Sequence, residues 1–448
     1  MASAIPTDLK RALTEKLAES LAEPLPGSTP RRVYGAAALP GKVTAVVGMR
    51  RTGKTTFLHQ LRRERMEAGI PREHLPYMNF EDERLADLAA NQLGFIVEEH
   101  GRRFPDARER ANVTWCFDEI QVVQGWERFV RRLLDGGGCD VIVTGSSAAL
   151  LSREIATALR GRAWAVPLYP FSFGEALRHR GQSIPAEPGF VTGGERAHME
   201  RAFAGWLATG GFPEAQGLDG ASRQQLLRDY VDVAMLRDVV ERYGVSNVTG
   251  LRWLVRHLLG NAAAHFSVEK FYAALKSQGV AISKDTVHQL LAHLEDCFLV
   301  RMVWMESASE RQRMVNPRKS YPVDSGLIAV FERSGRANSG HALETAVLIE
   351  LERRRLDITY VRTPAGHEVD FLARGAGGEA ELIQVCADAS DPTTAVRELR
   401  ALVEAGKIYP EARRRLLTLN RDGAPADVPS GISVQPAYEW MLEEFDER

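Results

Sequence analysis

Cysteine is scarce in this chain and long apolar runs are missing, and the two absences exclude several protein classes. Its 448 residues include 4 cysteines. Cys116, Cys139, Cys297 and Cys386 lie far apart and form no C-x-x-C pair, so reduced core residues are expected rather than bridges or zinc ligands. No apolar stretch approaches the roughly 18 residues of a spanning helix, and the N-terminal segment lacks a hydrophobic signal core. A cytoplasmic protein with no membrane partner is therefore expected. Excess charge of one sign is also missing. The formal net charge is -2, so any surface for nucleic acid must be local rather than global. Apolar residues at 44% and charged residues at 26% are values of a folded protein. The length exceeds one ordinary core, so two to four domains are expected.

What the chain does contain is organised around Gly48-Met49-Arg50-Arg51-Thr52-Gly53-Lys54-Thr55, a full G-x-x-x-x-G-K-[S/T] pattern followed by Thr56. Val43, Ala45, Val46 and Val47 before it read as a buried strand. Phe57, Leu58 and Leu61 after it mark one face of a helix. A glycine at each end lets backbone N–H groups turn inward around a phosphate, Lys54 reaches the outer phosphates of ATP, and Thr55 can hold Mg2+. Downstream, Val113 to Phe117 form an apolar strand that ends in Asp118 and Glu119. Asp118 is expected to hold the metal and Glu119 to orient the attacking water. The strand Val141-Ile142-Val143 runs into Thr144-Gly145-Ser146-Ser147. The hydroxyls of Thr144 and Ser146 are either sensors of the γ-phosphate or ordinary turn residues. Arg162 is a candidate catalytic arginine for its own nucleotide or a neighbouring subunit's; a solvated side chain is the alternative.

Leu9, Leu13, Leu17 and Leu21 predict an amphipathic helix, broken by Pro24, Pro26, Gly27 and Pro30, that covers its own core or a neighbour. From about residue 31 the order strand, loop, helix, strand, helix implies a parallel sheet with helices on both faces. Expected segments are the N-terminal helix and linker 1–30, an α/β P-loop core 31–180, a helical lid 181–247, a winged-helix-like domain 248–325 and an α/β C-terminal domain 326–448.

The order of Gly48 to Thr55, Asn79-Phe-Glu-Asp82, Asp118-Glu-Ile-Gln121, Thr144-Gly-Ser-Ser147, Leu159-Arg-Gly-Arg162 and Pro170-Phe-Ser-Phe-Gly-Glu175 resembles one prokaryotic group. It is a set of AAA-superfamily ATPases carrying a C-terminal domain of uncertain function. Gly210-Gly-Phe-Pro213, Tyr321-Pro-Val-Asp324-Ser-Gly326 and Gly340 to Glu344 extend the likeness. The resemblance implies an ASCE-type ATPase that works as a homo-oligomer, a hexamer among the options, and acts on DNA.

In 251–319, three helices capped by Ser267 and Ser283 and followed by strands Leu299–Met305 and Arg313–Val315 match a winged helix. The third helix is expected to present Lys284, Thr286, His288 and Gln289 to DNA, and the wing to present Arg311, Arg313, Arg318 and Lys319. Such modules also dock proteins or serve as passive lids. Glu344 on a helix, Asp370 on a strand and the following hairpin resemble the restriction-endonuclease-like PD-(D/E)xK nucleases. Gln384 stands where that family has an acid and Cys386 where it has lysine, so a degenerate site is expected. Glu368 is placed on the opposite strand face from Asp370, and a lysine from elsewhere is left open. The leading expectation is a Mg2+-dependent ATPase that binds or remodels DNA, branched or forked DNA included. The alternatives are an ATP-controlled signalling switch with a protein partner and an ATP-regulated nuclease.

Overall fold

The computed structural model describes residues 5–33, 39–109, 113–146, 159, 161–332 and 339–443. It divides into two compact units, Met1–Leu168 and Tyr169–Arg448. No helix among the described residues is long and apolar enough to cross a membrane.

The first unit begins with α1 (Thr7–Ala22), whose Leu9, Ala12, Leu13 and Leu17 are buried. Its sheet is built from β1 (Val43–Val47), β2 (Tyr77–Asn79), β3 (Val113–Asp118), β4 (Cys139–Gly145) and β5 (Ala163–Pro167), in the order β2-β3-β4-β1-β5. Every pairing is parallel. The helices are α2 (Lys54–Glu67), α3 (Gly94–Arg103), α4 (Pro105–Glu109) and α5 (Trp126–Gly136). β1 and β3 are buried at every position, as expected of strands covered on both faces. Phe57 and Leu58 of α2 pack with Val46, Cys116, Ile142 and Val166. Phe129 of α5 meets Phe117, with ring centroids 5.7 Å apart. Because neighbours along a strand alternate sides, Cys116 and Phe117 place α2 and α5 on opposite faces. α1 packs on β2 and α3, and the carbonyl of Ser20 accepts from the buried Arg62 at 2.7 Å. The helix covers its own core.

β4 lies between β1 and β3, so the phosphate-loop strand and the acid strand are not neighbours. Their carboxyl ends nonetheless point the same way, and so does that of β4. The three candidate segments meet at one edge because all the strands are parallel.

The second unit holds an eight-stranded sheet of β6 (Ala264–Phe266), β7 (Val300–Met305), β8 (Arg318–Pro322), β9 (Asp357–Arg362), β10 (Glu368–Arg374), β11 (Ala380–Val385), β12 (Arg413–Thr418) and β13 (Ile432–Pro436). Its order is β13-β12-β11-β10-β9-β7-β8-β6. Helices Val248–Gly260, Val268–Ser277 and Lys284–Asp296 form as expected, and the Ser283 hydroxyl accepts from the Thr286 N–H at 3.0 Å. The wing differs from expectation. Arg313–Val315 is not a strand but the end of a helix, Glu310–Val315, whose start Ser309 caps. The partner of β7 is β8, starting five residues later. Residues 248–325 and 326–448, expected as separate domains, share this sheet through the parallel pairing of Trp304 with Thr359 and Met305 with Tyr360. Helix Ser339–Arg353 is buried from Ala342 to Leu351 against one face, and helix Pro392–Ile408 covers a second apolar cluster around Leu372, Leu382 and Leu416.

Leu17 of α1 is 1% exposed. Leu17→Ala should therefore destabilise the protein by about 2–5 kcal/mol, whereas the half-buried Leu21→Ala should cost far less. Urea denaturation followed by circular dichroism measures both. Equal, small losses would mean that α1 is not part of the core.

Candidate functional site

The chain turns sharply after β1. A Cβ on Gly48 would lie 2.2 Å from the Leu168 carbonyl, so glycine is required there by the close approach of the segment after β5. Gly53 caps α2 in the left-handed region at φ 94°. The Lys54 ammonium is buried, 3.2 Å from the carbonyls of Gly48 and Met49 and 3.6 Å from Glu119 Oε1. It spans from the loop to the acid strand. Arg31 donates to the Thr52 carbonyl at 2.8 Å and steadies the loop from outside.

Asp118 is wholly buried and accepts three hydroxyls. Thr55 and Tyr77 donate to Oδ2, each at 2.8 Å, and Thr144 donates to Oδ1. Burial raises its pKa, and Glu119 raises it further, while the hydroxyl bonds pull it down. Thr144 also accepts the Glu119 N–H at 2.9 Å, so one hydroxyl fixes both acids. Glu119 has φ 53°, a left-handed conformation uncommon for glutamate and found at functional turns. Its carboxylate takes a hydrogen bond from Gln121. A buried ammonium, a hydroxyl and a carboxylate at one strand edge fit a nucleotide phosphate and a divalent cation. Thr55 and Asp118 are the residues that could hold the cation.

The second unit contains another buried charged cluster. Lys319 Nζ donates to Glu344 Oε1 at 2.7 Å and to Asp370 Oδ1 at 2.9 Å, with Glu368 Oε1 at 3.3 Å. Tyr321 donates to the same Glu344 oxygen at 2.7 Å. Lys319 is thus not an outward wing residue, because β8 points it inward with 3% of its surface exposed. Glu368 does not point away from Asp370 either, since both carboxylates reach the same Lys319 ammonium, at 3.3 and 2.9 Å. Burial, reinforced by Asp370, lifts Glu344 to about 8. Gln384 accepts the Asp370 N–H at 3.3 Å and donates to Glu398 at 2.6 Å, and Cys386 Sγ bonds the Asp388 carbonyl at 3.3 Å. Neither bonds to Lys319 or Glu344. No group of three or more metal-ligating side chains arises among the described residues.

Residues 40–177 match a family model described as an AAA domain, and residues 200–336 match a domain of unknown function. An uncharacterized protein of Methanocaldococcus jannaschii, MJ1544, is 31% identical over 415 residues, 90% of this chain and 89% of its own. The chain belongs to the family of that archaeal protein. A Haemophilus influenzae member is 28% identical over 402 residues, 90% of this chain and 94% of its own. Among solved structures, the Walker-type ATPase of Pyrococcus abyssi matches 72% of this chain and 95% of its own at 17% identity and a TM-score of 0.38. Aeropyrum pernix ORC2 matches 74% and 95% at 14% identity and 0.34. Superpositions this loose decide nothing about function. The span matched as an AAA domain contains the phosphate loop and the acids of β3.

Within this AAA domain the structure brings together Gly48, Met49, Gly53, Lys54, Thr55, Asp118, Glu119 and Thr144. Thr56 continues α2. Ser146 is buried just beyond β4, next to residues outside the described set. Arg50 pairs with Glu81 at 2.8 Å, and Arg51 takes φ 68°. Arg162 pairs with Asp135 at 2.6 Å on the surface. On the expected DNA face, Lys284 pairs with Glu269 at 2.5 Å, and Thr286 shares a hydrogen bond with Ser283 at 2.8 Å. His288 and Arg311 are exposed, Arg313 lies 3.9 Å from Glu310, and Arg318 stacks on Trp304 with its guanidinium 3.4 Å from the ring centroid. Sequence reasoning missed Tyr77 as a partner of Asp118. The signal was its place two residues before Asn79, on the same face of β2.

Glu344 keeps its proton in the fold up to about pH 8, whereas the unfolded chain releases it near 4.5. Across that window the folded state binds more protons, so this group's stabilising effect is lost as pH rises. Wild-type urea midpoints should fall more steeply from pH 5 to pH 8 than those of Glu344→Gln. Identical slopes would show that Glu344 titrates normally.

Proposed function

We propose that this protein is a Mg2+-dependent ATPase that acts as a homo-oligomer and couples ATP hydrolysis to DNA binding or remodelling. The observation that carries the reading is the hydrogen bond from Thr55 to the buried Asp118. It joins the two residues that a shared metal ion would require. When bound, Mg2+ would neutralise charge on the outer phosphates. Residues 48 to 56 would hold the phosphate chain by their N–H groups, with Lys54 exchanging loop carbonyls for phosphate oxygens. Glu119, already 3.6 Å from Lys54, would orient water and accept its proton. Thr144 would couple the state of that water to Asp118, with Ser146 beside it. Arg162 would have to leave Asp135 to reach a nucleotide, in its own or a neighbouring subunit. The DNA half draws support from the three helices and the β7–β8 hairpin of the second unit.

Lys54→Ala should weaken ATP binding, while Glu119→Gln should preserve binding and lower kcat by roughly 10² or more. Turnover measured with and without duplex, single-stranded and forked DNA should rise with DNA. Turnover indifferent to every DNA, with assembly driven by nucleotide, would favour a signalling switch with a protein partner.

An ATP-regulated nuclease is a second reading, favoured by Lys319: a cation stands beside Glu344 and Asp370 although Cys386 cannot supply one. On it, Glu344 and Asp370 would hold a divalent ion and Lys319 would stabilise the attacking hydroxide. Plasmid nicking in Mn2+ or Mg2+ should then vanish in both Asp370→Ala and Lys319→Met. Intact plasmid with the wild-type protein would end this reading.

A further inference from the structure

Many charged side chains in the second unit are paired. The expected DNA face is an instance: Lys284 is tied to Glu269, Arg318 lies flat on Trp304 and Lys319 is buried among carboxylates. A different face carries unpaired charge. Helices Gly220–Val233, Val248–Gly260 and Val268–Ser277 surround a groove of about 1170 Å³. Its lining includes Arg228, Arg252, Arg256 and Lys270. All four are exposed, and none forms a salt bridge among the described residues. Trp253 lies on the same wall with 39% of its surface open to solvent. Asp232 and Glu332 are the acids of the lining, so the cations outnumber them.

We propose that this groove, rather than the helix starting at Lys284, binds single-stranded nucleic acid, which deepens the DNA half of the proposed function and rests on it. Arg252 and Arg256 stand one helical turn apart on one face, and Trp253 is adjacent to Arg252. Cations from three helices can follow a phosphate chain while an indole offers a plane on which a base stacks. A stacking platform inside a cationic groove suits unpaired bases, whose faces are free, better than a duplex. An acidic peptide could use the arginines but gains no stacking on Trp253.

The test is fluorescence anisotropy of a labelled thymidine oligomer and of a duplex with the full-length protein. Wild type should bind the oligomer more tightly than the duplex. Arg252→Ala/Arg256→Ala should weaken oligomer binding about tenfold or more and flatten its dependence on salt. Trp253→Ala should weaken it about tenfold while leaving the salt dependence unchanged. Lys284→Ala/His288→Ala should leave it near wild type. All these side chains are exposed, and a wild-type circular dichroism spectrum and urea midpoint for each variant check its folding. Loss of binding in Lys284→Ala/His288→Ala with none in the arginine variant would overturn the groove and keep the DNA reading. Equal binding of polyglutamate-competed and uncompeted oligomer supports it, whereas competition by polyglutamate together with no effect of Trp253→Ala overturns it in favour of an acidic peptide. Binding of no DNA by wild type would end the DNA reading itself.

Discussion

The arrangement at the candidate site depends on satisfying one buried carboxyl group inside the fold. A buried carboxylate is costly unless its oxygens are hydrogen-bonded. Asp118 meets that requirement with hydroxyls from three separate elements: Thr55 on α2, Tyr77 on β2 and Thr144 on β4. The parallel order of the sheet delivers all three to one place. Remove the strand between β1 and β3 and Thr144 has no position from which to hold both acids. The same geometry explains why Glu119 can adopt a left-handed turn: its N–H is already committed to Thr144.

How much of this was legible in the residues follows from how far apart the partners are. The phosphate loop and the β3 acids were readable because each is local, a strand ending in a fixed set of side chains. β1 and β3 formed where apolar, β-branched runs placed them. The α1 helix was readable from its leucines, and its burial on its own core follows from Ser20 meeting Arg62. Tyr77 was not readable as a partner of Asp118, because 41 residues separate them and only the β2–β3 pairing brings them together. The wing was misplaced because Arg313 to Val315 has strand-compatible residues while Ser309, five positions from Met314, starts a helix there. Tertiary context and a cap outweighed propensity.

Lys319 illustrates the hardest case. Its neighbours in sequence, Arg318 and Ser320, suggest a surface hairpin, and alternation alone cannot say which side faces solvent. Two strands stand between β8 and β10 in the ladder, yet the sheet curls enough for Lys319 to meet Asp370 and for His265 to lie 3.1 Å from Glu368. A motif search reads along one strand and cannot find a cation donated across a curl. Local charge has the same blind spot. A net of -2 says little when some arginines lie against carboxylates and others collect in one groove.

The ladder between β7 and β9 has an evolutionary corollary. Modules that fold alone can be exchanged between genes by recombination at the linker joining them. Here a crossover near residue 325 would tear a shared sheet and leave two ragged strand edges open to self-association. The segment matched to a domain of unknown function and the strands that follow it in the same sheet should therefore be inherited, and diverge, as one piece.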